Sequence, residues 1–74
     1  MGIAIGAIGE VIVAIRGEIG PGEVQVKVNG SMESYIAESA EPIARGQTVL
    51  VIAVGRHRHI TVVPWTDLQV SMYR

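Results

Sequence analysis

The chain has 74 residues and a net charge of −1 at pH 7, and charged residues make up 18% of it. This length allows one domain. The absence of cysteine excludes a disulfide framework and a thiolate metal site, and the near-neutral charge gives no basic footprint for nucleic acid. Because a soluble domain usually carries about 25% charged residues, the low fraction indicates a surface that lies beside a membrane or a partner subunit.

Apolar β-branched residues dominate the composition. Ile and Val together number 21, against 2 Leu, and branching at Cβ favours the pleated surface of a sheet over a helix. Nine glycines and three prolines separate the apolar runs, at the spacing expected of a small sandwich or barrel. The composition therefore predicts an all-β domain.

The first segment, residues 1–8, is apolar and rich in glycine. It is too short to span a bilayer, which takes about 20 apolar residues, and it lacks the charged start of a signal peptide. We interpret it as a leader to the first strand. That strand is predicted over residues 9–16, with Val11, Val13 and Ile15 on one face.

The second strand, residues 23–29, alternates valine with polar residues. Such alternation is typical of an antiparallel strand with one face in water. Asn29-Gly30 is a strong signal for a type I′ hairpin turn. We therefore expect the third strand, residues 31–39, to pair with the second.

The remaining chain predicts two further strands. Pro42 argues against a hydrogen-bonded ladder through that point, because proline lacks the backbone donor. The fourth strand, residues 47–54, is apolar on both faces, which indicates burial on both sides or a cover supplied by a loop or partner. The fifth strand covers residues 59–63, and residues 66–74 are predicted to be a flexible tail.

Five short antiparallel strands with one tight hairpin fit a five-stranded OB-type Greek-key barrel over residues 9–65. An SH3-like barrel is the alternative. The long, glycine-flanked first strand favours the OB type, because a strand that bends can serve both sheets of such a barrel.

Five short motifs occur in order along the chain. They are Gly6-Ala7-Ile8-Gly9-Glu10-Val11, Gly20-Pro21-Gly22-Glu23-Val24, Tyr35-Ile36-Ala37-Glu38-Ser39, Ile43-Ala44-Arg45-Gly46-Gln47-Thr48-Val49-Leu50-Val51 and Ile60-Thr61-Val62-Val63-Pro64. Together they resemble the C-terminal domain of NfeD-like membrane proteins.

The resemblance implies an OB fold attached to membrane-spanning helices that this chain does not include. It also implies partnership with flotillin- or stomatin-type (SPFH) membrane scaffold proteins. The expected location is therefore at a membrane, on its cytoplasmic face. Weak self-association is left open.

The main local concentration of ionisable groups is Arg56-His57-Arg58-His59. On a strand, His57 and His59 would share a face, but a zinc site takes three or four ligands and the sequence offers no convincing third. We therefore predict no metal and interpret the segment as a solvated hairpin tip. Its two arginines are a candidate contact for anionic headgroups, where each basic group contributes on the order of 1 kcal/mol.

Apolar residues on outward strand faces are the other candidate contact. These are Ile12, Ile36, and Leu50 or Ile52 depending on the strand register. Contiguous exposed apolar patches usually mark partner sites. We therefore predict a non-enzymatic interaction domain that acts as a scaffold partner and has no cofactor.

An OB module that binds single-stranded nucleic acid is the alternative function. It needs a basic groove and aromatic platforms for base stacking, yet phenylalanine is absent and Tyr35 is expected in the core. Catalysis has less support, because the chain has no cysteine nucleophile and no serine in a glycine elbow.

Overall fold

The computed structural model describes residues 3–65 of the chain, and the strands in that range are short. They are β1 (Ile8–Val13), β2 (Ile15–Arg16), β3 (Gly22–Val28), β4 (Ser31–Glu38), β5 (Pro42–Ile43), β6 (Thr48–Val54) and β7 (His59–Pro64), with a 3-10 turn at Gly17–Ile19. The expected tail, residues 66–74, lies outside the described residues.

Five of these strands close into a barrel in the order β1-β3-β4-β7-β6. Strand β1 pairs with β3 along one edge and with β6 along the other, so it closes the barrel from both sides. The pairs are antiparallel except for β4 and β7, which run parallel. This arrangement confirms the predicted five-stranded OB-type barrel, but the expectation that all five strands are antiparallel is wrong for β4 and β7.

Strands β3 and β4 form the predicted hairpin. Val24 lies opposite Tyr35 and Val28 opposite Ser31. Asn29 and Gly30 both have a positive φ, 52° and 85°, as a type I′ turn requires. The Asn-Gly signal therefore fixed both the position and the register of this hairpin.

We expect Asn29→Ala to lower the free energy of unfolding by about 1 kcal/mol, because an ordinary L residue loses roughly 1–2 kcal/mol in the left-handed region that Asn tolerates. Asn29→Gly is the matched control, since glycine adopts that region without strain. Urea denaturation followed by circular dichroism measures both variants. Equal stability of the two would contradict this role for Asn29.

The barrel interior is filled by inward-facing side chains of alternate strand positions. They are Val11, Ile15, Val24, Val26, Tyr35, Ala37, Ile43, Val49, Val51, Ile60 and Val62. Ile3 and Ala7, which precede β1, and Val28 pack against this cluster. The core is thus built almost wholly from β-branched residues, as the composition predicted.

Strand β1 departs from the predicted alternation. Its register with β3 shifts between Val11 and Val13, so Ile12 is the extra residue of a β-bulge. Val13 is 48% exposed, whereas Val11 and Ile15 are buried. The expectation that these three residues share one face is wrong, because the bulge inserts one residue and turns Val13 outward. β1 ends at Val13, and Ile15 faces the core from the separate strand β2.

The second departure is at Pro42. Arg16 lies opposite Pro42 and Ile15 opposite Ile43, in a small ladder between β2 and β5. The expectation that no ladder reaches Pro42 is wrong, because proline is tolerated as the first residue of a strand. Ile15 and Ile43 are each 1% exposed, so this pair adds its two side chains to the core.

Candidate partner-binding surface

The basic segment forms a tight turn between β6 and β7. The Gly55 amide donates to the His59 carbonyl at 2.8 Å, and the His59 amide donates to the Arg56 carbonyl at 3.0 Å. His57 and Arg58 have φ of 55° and 60°, which is uncommon for residues other than glycine.

The two histidines lie in different local structures. His57 lies in the turn and His59 begins β7, so the expectation that both histidines share a strand face is wrong. Within residues 3–65, no group of three His, Cys, Asp or Glu side chains gathers as metal ligands would.

Arg58 binds the neighbouring strand β4. Its Nη2 donates to Glu33 Oε1 at 2.8 Å and to the Ser34 carbonyl at 2.9 Å. Its guanidinium lies 4.7 Å from the centroid of the Tyr35 ring. The hydrogen bond to Glu33 raises the pKa of Arg58 above its usual range, and the Glu33 carboxylate balances the charge of the guanidinium.

These contacts change which tip residue is available to a partner. The pair between Arg58 and Glu33 is the one ion pair within residues 3–65, which leaves Arg56 exposed without such a partner. Exposed ion pairs contribute little stability, so we assign the Arg58 contacts a geometric role, fastening the tip to β4. No sequence spacing could indicate them, because Glu33 and Arg58 lie 25 residues apart.

The two isoleucines named as candidate contacts are only half-buried. Ile12 is the bulge residue of β1. Ile36 lies between Glu23 on β3 and His59 on β7, so it belongs to a mixed row of outward side chains. These pairings place neither Ile12 nor Ile36 within an apolar patch.

An outward apolar row crosses β1, β6 and β7. Ile8 lies opposite Leu50, and Leu50 lies opposite Val63; residues paired in this way project to the same face of a sheet. Ile8 and Ile52 are each 45% exposed, while Leu50 and Val63 are half-buried. Ile52 has no partner in these pairings, because it is the extra residue of a second β-bulge, between Val51 and Ala53 of β6; it is included for its exposure on the same strand. We call Ile8, Leu50, Ile52 and Val63 the apolar stripe.

The part of this stripe that lies on β6 could be predicted from the sequence. The apolar run on both faces of residues 47–54 predicts a covered outer face that includes Leu50 or Ile52. The sequence alone places Ile8 in the leader and gives no face to Val63. Their contribution depends on pairing between strands distant in sequence, which composition and periodicity do not reveal.

The family comparison agrees with this fold. The profile of the NfeD C-terminal domain matches residues 8–63. The chain belongs to the NfeD C-terminal domain family. The match begins at Ile8 and ends at Val63, so every residue of the apolar stripe lies inside the family domain.

Two solved structures carry a similar domain. The soluble domain of the NfeD protein YuaF from Bacillus subtilis is 34% identical, with a TM-score of 0.69, over 80% of this chain and 70% of that one. The C-terminal domain of stomatin operon partner protein 1510-C from Pyrococcus horikoshii is 26% identical, with a TM-score of 0.64, over 84% and 88% of the two chains.

A third structure shares the fold. It is the soluble domain of a membrane protein implicated in regulation of membrane protease activity from Corynebacterium glutamicum, 23% identical with a TM-score of 0.58, over 84% of this chain and 92% of that one. A comparison with curated proteins found no match. No helix within residues 3–65 of this NfeD domain is long and apolar enough to cross a bilayer.

Proposed function

We propose that this NfeD domain is a non-enzymatic interaction module of an NfeD-like membrane protein and that it binds an SPFH scaffold protein of the flotillin or stomatin type. The observation that carries the proposal is the apolar stripe. Contiguous apolar surface of this kind marks interaction sites. The name of the Pyrococcus horikoshii relative, a stomatin operon partner protein, supports the class of partner.

The chemistry of the stripe suits protein docking. Strand β6 contains no ionisable side chain. A partner that covers this strand therefore does not have to remove water from a charged group. Polar and charged groups lie in the other outward rows, such as Glu23–Ile36–His59. We infer that the partner presents an apolar face to β6 and the strands beside it.

The basic tip has a secondary place in this proposal. Membrane attachment would come from helices outside this chain and would place the domain near the cytoplasmic face. Arg56 is then the tip residue best placed to meet an anionic headgroup, because Arg58 is bound to Glu33 at 2.8 Å. One such charge contributes on the order of 1 kcal/mol, which assists binding without anchoring the domain.

The test is binding to a purified SPFH protein encoded by the same genome. We expect the full chain to bind it and the double variant Ile8→Ser, Ile52→Ser to bind at least about tenfold more weakly. Each half-exposed isoleucine contributes about 1 kcal/mol when buried, and about 1.4 kcal/mol is tenfold in affinity. Biolayer interferometry on the immobilised chain measures both affinities.

The control variant is Met32→Ser, which replaces an exposed apolar residue of β4 outside the stripe. It should bind the SPFH protein as the wild type does. The proposal fails if the wild-type chain does not bind, or if the double variant and the control bind equally well.

A further inference from the structure

A second apolar surface lies beside the 3-10 turn. A groove of about 580 Å³ is lined by residues of β2, the 3-10 turn, β5 and the following loop. Ile15 and Ile43 form its buried floor, and Ile19, 81% exposed, stands beside them. The groove is shallow and open to solvent, and its lining is mainly apolar.

The polar side chains in this groove are hydrogen-bond donors. Arg16 is exposed and makes no ion pair within residues 3–65. Gln47 Oε1 already accepts the Ala44 amide at 2.8 Å, so its amide nitrogen is the end of that side chain left for a ligand. No carboxylate lines the groove. Its charge therefore favours a ligand that carries an anionic acceptor.

The guanidinium of Arg16 extends along the loop that follows the 3-10 turn. It lies over Gly20, where an added Cβ would be 2.7 Å from Arg16 Nη2. Glycine at this position thus lets the side chain lie flat against the loop.

A second groove beside the 3-10 turn has acidic side chains in its lining. It is lined by Glu18, Glu38 and Ser39, and it shares Ile19 with the first. A carboxylate would be repelled in that groove and attracted in the groove beside Arg16. Such an arrangement fixes the orientation of a bound segment more than its affinity.

We propose that the groove beside Arg16 binds a peptide segment of a protein partner in which a large apolar side chain stands next to a carboxylate. The apolar side chain packs against the exposed residues Ile19, Pro42 and Ala44, above the buried pair Ile15 and Ile43, and the carboxylate pairs with Arg16. None of the stripe residues lines this groove, so the site is independent of the SPFH contact proposed above.

The test uses two small probes that differ only in charge. N-acetyl-phenylalanine carries a phenyl ring and a carboxylate, and N-acetyl-phenylalaninamide carries the same ring with a neutral carboxamide in place of the carboxylate. In an NMR titration of the isotope-labelled chain, we expect both to shift the amide resonances of Arg16, Ile19 and Ala44. The acid should bind about threefold more tightly, the size of effect expected of an exposed ion pair.

Two variants distinguish binding at this groove from nonspecific binding. Arg16→Gln should remove the preference for the acid and leave binding of the amide unchanged. Arg56→Gln, at the distant hairpin tip, should keep the preference, and the spectrum of each variant reports whether it is folded. The proposal is overturned if neither probe shifts the groove resonances, if acid and amide bind equally to the wild type, or if Arg16→Gln retains the preference.

Discussion

Gly22→Ala is expected to lower the free energy of unfolding by about 3 kcal/mol, at the upper end of the usual cost of overpacking a core. Gly22 is the buried first residue of β3 and lies opposite Ala37. A Cβ on Gly22 would lie 2.2 Å from the Val13 carbonyl oxygen and 2.6 Å from that of Ala14. Both are backbone atoms, so no side-chain rotation can relieve the clash.

The cause is the bulge that the sequence did not predict. Past Ile12 the backbone of β1 turns toward β2, and the carbonyl groups of Val13 and Ala14 lie against Gly22. Thermal unfolding followed by circular dichroism measures the effect, and a loss of this size lowers the Tm of a small domain by about 15 °C.

Gly55→Ala is the matched control for this substitution. A Cβ at Gly55 meets nothing closer than the His59 carbonyl oxygen at 3.5 Å, which is an ordinary van der Waals contact. We expect its Tm to stay within a few degrees of the wild type. If Gly22→Ala and Gly55→Ala had the same Tm, β1 and β3 would be able to move apart with no loss of stability, and the prediction would be contradicted.

The features predicted correctly are those with a local cause. The valines of residues 23–29 alternate because one face of β3 is buried, and Asn29-Gly30 adopts the two positive φ angles of its turn. Alternation and turn chemistry are properties of neighbouring residues, so the sequence displays them directly. The all-β class and the five barrel strands follow from such signals.

The features missed depend on residues far apart in sequence. The bulge at Ile12 follows from how β1 meets β3 on one side and β6 on the other. The ladder that includes Pro42 depends on β2, because Pro42 pairs with Arg16, which lies 26 residues earlier in the chain. Neither pairing has a signature within a window of ten residues.

The candidate site divides in the same way. The outward apolar run of β6 was visible in the sequence, whereas its extension to Ile8 and Val63 required the register of three strands. The groove beside Arg16 was not foreseen, because turn chemistry identified residues 17–22 only as a loop. Its apolar floor comes from Ile15 and Ile43, which the β2–β5 pair brings together.

Ile15→Ala is the second substitution with a large expected effect, about 3 kcal/mol in the free energy of unfolding, within the usual cost of truncating a buried isoleucine. Ile15 pairs with Ile43 across β2 and β5, and each side chain is 1% exposed. Because this ladder is only two residues long, side-chain packing contributes most of what holds β2 and β5 together.

Ile19→Ala is the control, because it makes the same change in an isoleucine that is 81% exposed. We expect it to change the free energy of unfolding by no more than about 0.5 kcal/mol, as surface substitutions usually do. Urea denaturation measures both variants, and the same slope of unfolding free energy against urea concentration is used for the two. If Ile15→Ala were as stable as Ile19→Ala, the β2–β5 pair would not belong to the cooperative core, and the groove beside Arg16 would lose its fixed floor.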